Sequence, residues 1–208
     1  MNQKLRNNPE TIREFLADEA KFLEWADYFT FCRLLETGLR KEALTKLNEF
    51  ISVQASNCFD QRRQFVSWLH HRVENIDRQY KLFPHTIQKR LIEPTLLQSI
   101  EREPNSAEPY CWLGTFAHLK KAVSIEPDNE IVVFRFVRCL VAGIGYNTHE
   151  LPIGYLGDDP LEDLTDLATA ESLLPIIRDT EQRSQFAARI TKEKTVLNDY
   201  LRDRKARN

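Results

Sequence analysis

Ser99-Ile100-Glu101-Arg102-Glu103-Pro104-Asn105-Ser106-Ala107-Glu108-Pro109-Tyr110-Cys111-Trp112-Leu113-Gly114 and Leu119-Lys120-Lys121-Ala122-Val123-Ser124-Ile125-Glu126-Pro127-Asp128-Asn129 echo one another within a chain of 208 residues. Each sets a Pro-Asn or Pro-Asp-Asn turn between two apolar helical stretches. Proline cannot extend a helical hydrogen-bond ladder and restricts the residue before it, so it ends the first stretch. Asn or Asp then offers an N-cap to the next. Paired helices of this kind cannot bury their apolar faces alone; they stack, and stacking leaves a broad surface for partners. The expected fold class is all-α: stacked antiparallel helical hairpins in one domain spanning residues 1–208, as a superhelix or an irregular helical bundle.

The helical period extends to both sides of the echo. Asn8 and Pro9 read as an N-cap and first helical residue. Apolar residues from Ile12 and Phe15 through Trp25, Phe29 and Leu35 then recur at helical spacing. Gly38 breaks the run, and Ala43, Leu44, Leu47, Phe50 and Ile51 resume it, so two antiparallel helices joined at Gly38 are expected. Asp60 is expected to cap a helix carrying Phe65, Val66, Trp68, Leu69, Val73 and Ile76 that Phe83-Pro84 closes. A short helix from Thr86 to Ile100, interrupted near Pro94, precedes the pair Tyr110–Ile125 and Glu130–Ala142. Ile131 to Val137 is β-branched enough for a strand, but it continues unbroken into Ala142, too long for a typical one, and reads as helix. Gly143 to Pro160 holds four of the six glycines and two prolines, which marks an ordered irregular loop. Asp159 then caps a helix beginning at Pro160, Pro175 kinks its continuation, and Thr180–Tyr200 is a last long helix before a frayed basic tail at 202–208.

The echo resembles the tetratricopeptide repeat. Tyr110, Leu113 and Gly114 match the opening of that family's first helix, and Ala122 and Pro127 match the close of its second. Pro104 and Pro127 are about 23 residues apart, whereas the family's unit is about 34, so the middle turn is missing from the pattern. The resemblance covers about a third of the chain. It implies stacked helical hairpins and protein binding without catalysis.

Composition narrows the class. Apolar residues make up 42%, charged residues 29%, and the net charge is −2, so the chain as a whole has no bias toward polyanions. Without a clustered basic face, nucleic acid is not an expected partner. No run of eighteen apolar residues occurs, so no membrane span is expected. Met1-Asn2-Gln3-Lys4-Leu5-Arg6 lacks the apolar core of a signal peptide, and the expected location is cytoplasmic. Cys32, Cys58, Cys111 and Cys139 lie too far apart for a disulfide framework or zinc site and are expected to be buried thiols.

Motifs for chemistry are weak. His70 and His71 point about 100° apart on a helix and cannot easily share a metal. His149-Glu150 begins like a zinc-protease motif, but Leu151-Pro152-Ile153 follows and the second His is absent. Gly143-Ile144-Gly145 lacks the strand and third glycine of a dinucleotide site, and no G-x-S-x-G elbow exists. Trp25, Trp68 and Trp112 fit apolar helical patterns and read as core. No cofactor and no metal are expected.

What stands out is the Gly/Pro-rich loop and the acidic residues around it. Tyr146, His149, Glu150, Tyr155, Asp158, Asp159, Glu162 and Asp163 are the candidate partner-binding residues, because long loops in helical proteins often carry function. An acidic rim would meet a basic partner. The expected function is a non-enzymatic protein-binding module, in concrete form an inhibitor or immunity-type protein that sequesters a toxic or regulatory partner. The alternatives are a small hydrolase or lyase using His149 and Glu150, and a structural subunit of a larger assembly.

Overall fold

The computed structural model describes residues 16–17, 21–73 and 82–207. The helix expected to start at Asn8-Pro9, with Ile12 and Phe15, and the expected core position Ile76 lie outside the described residues. The described residues are helical, with no strand among them, and the β-branched run from Ile131 to Val137 is helix. Two compact units form, Met1–Pro104 and Asn105–Asn208.

In the first unit, α1 (Ala26–Glu36) and α2 (Arg40–Ser56) form the expected hairpin at Gly38. Gly38 has φ +81. Its N–H donates to the Leu35 carbonyl and that of Leu39 to Leu34, the paired bonds that close a helix over a left-handed glycine. α3 (Phe59–Val73) begins one residue before the expected cap, so Asp60 lies in its first turn, where negative charge favours the positive end of the helix dipole. The Gln61 side chain accepts from the Cys58 N–H at 3.2 Å instead.

Aromatic rings fill this unit. Tyr28, Phe29, Phe31, Phe50 and Phe65 are buried, and Tyr28 and Phe50 meet Phe65 at centroid distances of 5.1 and 4.8 Å, edge-on. Trp25 is buried and lies 4.7 Å from half-buried Trp68. Burial pushes the Cys32 thiol up, which leaves it inert as a nucleophile. The expected interruption at Pro94 takes a specific form. One turn, His85–Ile87, leads into a π-helical stretch, Gln88–Ile92, and then α4 (Glu93–Arg102). The Glu93 N–H reaches back to Gln88. Widening the turn there spares Pro94 the clash its ring would make with the carbonyl one turn earlier.

The second unit contains α5 (Ala107–Leu113), α6 (Phe116–Ile125), α7 (Glu130–Thr148), α8 (Pro160–Leu173) and α9 (Thr180–Arg207). The echo survives in the backbone: Glu103 before Pro104 has φ −133 and ψ 68, and Glu126 before Pro127 has φ −129 and ψ 74. Both are the non-helical geometry that a following proline enforces. Asn129 caps α7 as expected, accepting from Ile131 and Val132. Asn105 does not cap α5; Ser106 holds that position with extended backbone and no side-chain cap bond.

Four further expectations are corrected. Tyr110–Ile125 is not one helix, because Gly114 adopts φ +68 and splits it into α5 and α6. The irregular segment starts at His149 rather than Gly143, because α7 runs through Gly143 and Gly145 to Thr148. Burial of Leu140, Val141, Ile144 and Thr148 on that stretch outweighs the helical cost of two glycines. α9 runs through Arg207, with Arg202 on Asp199 at 2.9 Å, so the tail expected to fray is helical. Cys32 and Cys111 are buried, but Cys139 is half-buried and Cys58 exposed.

α7 is the axis of this unit. It is long and apolar enough to cross a membrane by length and composition, yet Val132, Val133, Phe136, Val137, Leu140, Val141 and Ile144 are core. A helix apolar on nearly all sides is one that others surround. α8 and α9 complete an up-down-up arrangement with it. The Arg178 N–H just before α9 meets Glu130 at the start of α7, and Thr148 at its end meets Glu193 further along α9.

Two glycines should respond to alanine in opposite directions. Gly114→Ala places a Cβ at positive φ and is expected to cost about 1–2 kcal/mol. Gly143→Ala adds a Cβ in open space on α7 and is expected to stabilise by about 0.5–1 kcal/mol. Urea midpoints of the two variants check this.

Candidate functional site

The candidate residues gather where α7 ends, the loop His149–Asp159 turns, and α8 begins. The loop is short-range ordered. Leu151 donates to Thr148, Ile153 to Glu150 at 2.8 Å, and Leu156 back to the Asn147 carbonyl at 3.0 Å. The Leu151–Pro152 peptide is cis.

One side chain clamps the loop to the helices. The Tyr155 hydroxyl donates to the Asp163 carboxylate at 2.7 Å, and the Tyr155 ring stacks on Tyr200 of α9 at 5.9 Å. The Asn147 amide of α7 donates to the same carboxylate at 3.0 Å. Gly157 makes room for the clamp, since a Cβ there would stand 2.5 Å from the Tyr155 hydroxyl and 2.7 Å from the Asn147 amide. Burial, then the bond to Asp163, raises the Tyr155 hydroxyl above the ordinary tyrosine range.

The eight expected residues therefore divide. Tyr155 and Asp163 are spent on the clamp. Asp159 is spent as the cap of α8, accepting from Leu161 at 2.9 Å. Tyr146, His149, Glu150, Asp158 and Glu162 are exposed. The His149 Nδ1 lies 2.6 Å from the Tyr146 carbonyl and its Nε2 lies 3.0 Å from the Glu150 carboxylate. Both ring nitrogens are thus engaged within the chain, which leaves the imidazole poorly placed to move a substrate proton.

Apolar residues stand among these carboxylates. Ile153 is 92% exposed, Tyr146 66%, Leu161 59% and Leu156 48%. Ile153, Leu156 and Leu161 are not among the residues that the sequence marks as candidates. The signal that separates them is tertiary: Tyr155, between Ile153 and Leu156 in sequence, turns inward and its neighbours turn out.

A second feature was absent from the sequence reading. On the inner side of α7, Thr148 donates to the Glu193 carboxylate of α9 at 2.6 Å, and each residue is 5% exposed. The hint is that Glu193 falls between Ile190 and Leu197 on the apolar stripe of α9, both fully buried. One turn earlier the Arg189 guanidinium lies across Gly145, 2.7 Å from where a Cβ would stand. A groove of about 830 Å³ opens here, lined by Gly145 and Thr148 from α7, by His149 at the start of the loop, and by Arg189, Lys192 and Glu193 from α9. No group of three or more His, Cys, Asp or Glu side chains suited to a metal occurs among the described residues. Comparison with protein-family models, curated proteins and solved structures gives no significant match.

The clamp has a pH signature. A hydroxyl whose folded pKa exceeds its unfolded value adds stability that is complete below the unfolded pKa and is lost as pH rises. Tyr155 should therefore hold the second unit until about pH 10, the ordinary tyrosine value, and weaken it above that. Tyr155→Phe is expected to lose about 1.5–3 kcal/mol at neutral pH, the worth of a hydrogen bond to a charged acceptor. It should also flatten the alkaline fall in stability, read by denaturation between neutral pH and pH ~11.

Proposed function

We propose that this protein is a non-enzymatic binding module that grips a basic protein partner through the exposed face formed by the end of α7, the His149–Asp159 loop and the start of α8. The observation that carries this is Ile153, 92% exposed on a loop that Tyr155, Asp163 and Gly157 pin in place. Isolated exposed apolar residues need no explanation, but several together with a charged rim mark an interaction surface. Leu156, Leu161 and Tyr146 add apolar area, and Glu150, Asp158 and Glu162 supply the rim.

Pinning matters energetically. A loop already ordered loses little conformational freedom on binding, so more of the contact energy appears as affinity. The carboxylates favour a partner with Lys and Arg around an apolar centre, and they act mainly on encounter rate and partner choice. The concrete form we favour is an inhibitor of the immunity type, whose face covers the working surface of a toxic or regulatory protein. We place it in the cytoplasm, a reducing compartment that suits free thiols at Cys32, Cys58, Cys111 and Cys139. The engaged nitrogens of His149 favour binding over hydrolysis or lyase chemistry at this face.

The test is affinity capture from native lysate on the immobilised full chain, with elution by a salt gradient. The wild type should retain a basic protein that leaves as ionic strength rises, because the Debye length shrinks from ~10 Å at 0.1 M to ~3 Å at 1 M. Ile153→Asp should lose it through the apolar centre, and the pair Asp158→Lys with Glu162→Lys through the rim. Retention that neither variant changes would refute the assignment of this face, and salt-independent retention would refute its electrostatic part.

A further inference from the structure

The groove between α7 and α9 holds a buried acid whose only hydrogen-bond partner among the described residues is a neutral hydroxyl. The Glu193 carboxylate is 5% exposed, and that partner is the Thr148 hydroxyl. Taking a carboxylate out of water without a counter-charge is costly. A cation is within sequence reach: Arg189 lies one turn earlier on the same helix face, the spacing that ordinarily forms an ion pair. Its guanidinium instead lies across Gly145, which has no side chain to push it away. Among the described residues neither Arg189 nor Lys192 forms an ion pair, whereas the next lysine, Lys194, pairs with Glu171 at 2.6 Å.

A ligand for this groove must satisfy opposite charges. A plain amine would suit Glu193 but face Arg189 and Lys192. A plain carboxylate would suit the two cations but face Glu193. We propose that the groove binds a free α-amino acid, its ammonium on the Glu193 carboxylate and its carboxylate on Arg189 and Lys192. Glu193 and Arg189 are separated along α9 by about one helical turn, ~5.4 Å. The ammonium and carboxylate of one amino acid, with a hydrogen bond of ~2.9 Å at each end, bridge groups up to ~8 Å apart, so an acid and a cation on successive turns are within its span. Leu151 and Val196 also line the groove and offer apolar surface to a side chain. The Thr148 hydroxyl donates to Oε2 of Glu193, which leaves Oε1 for the ammonium.

This site borders the partner face at His149 and Leu151 but rests on Glu193, Arg189 and Lys192, which that face does not use. The test screens the proteinogenic L-amino acids against the full-length protein by thermal shift, then measures the best of them by calorimetry beside its amide and its N-acetyl derivative. At least one amino acid should raise the melting temperature and bind in the calorimeter. The amide, lacking the carboxylate, and the acetyl derivative, lacking the ammonium, should each bind at least about tenfold more weakly. Glu193→Gln should weaken binding by a similar factor. Arg189→Met with Lys192→Met changes only exposed side chains, and should weaken it while leaving the melting temperature of the free protein in place. The proposal is overturned if no amino acid binds, if the amide or acetyl derivative binds as well as the parent, or if the Arg189 and Lys192 variant binds unchanged.

Discussion

An apolar helix must be wrapped, and the wrapping of α7 organises the second unit. Seven of its aliphatic and aromatic side chains, from Val132 to Ile144, are buried in that unit's core. Each such burial is worth about 1.5–3 kcal/mol gross. α6 and α8 can pack on α7 only if the chain reverses on either side of it. The pre-proline geometry of Glu126 provides one reversal and the His149–Asp159 loop the other. α9 then returns parallel to α7 and closes the remaining side. The exposed loop thus follows from the core: the chain leaves α7 where the buried stripe ends at Thr148.

Devices that act within a few residues were legible in the sequence. Gly38, Asn129, Asp159 and Pro94 each impose a local backbone outcome through missing Cβ, side-chain capping or missing N–H, and each acts in the structure close to where the sequence puts it. Devices whose outcome depends on distant packing were not. Gly114 and Gly143 are the same residue type in similar apolar surroundings, yet one ends a helix and the other lies inside one. The difference is that the buried stripe on the opposite side of α7 from Gly143 continues past it to Ile144 and Thr148, whereas Gly114 is followed by Thr115, which caps the next helix. Local propensity is a weak prior that such tertiary contacts override.

The candidate site was legible in the same uneven way. Acidic and aromatic residues around the loop were visible, but their division of labour was not. Asp159 and Asp163 are two of five closely spaced acids, and only the folded chain shows that one caps a helix and the other receives Tyr155 and Asn147. Asp158 and Glu162 are left over and share the surface with Ile153 and Leu156, beside Glu150, whose carboxylate lies against His149. Glu193 was hidden for the opposite reason: it sits in a strongly charged helix, where one more acid attracts no notice until its neighbours on the stripe prove to be buried.

Helical geometry keeps the two surfaces apart although both use the last turn of α7. Successive residues turn by about 100°, so positions three apart share a side and neighbours do not. Gly145 and Thr148 face α9, where they meet Arg189 and Glu193. Asn147 turns to α8 and holds Asp163. Tyr146 and His149 turn to solvent, bonded to one another through the His149 ring and the Tyr146 carbonyl. A change at Ile153 or Glu162 therefore alters the outer face without touching a residue of the groove, and a change at Arg189 or Lys192 alters the groove without touching the outer face. The two meet at Thr148 and His149: the Thr148 carbonyl accepts from Leu151 in the loop while its hydroxyl holds Glu193, and His149 borders the groove. Any influence of one surface on the other has its shortest covalent route through those two residues.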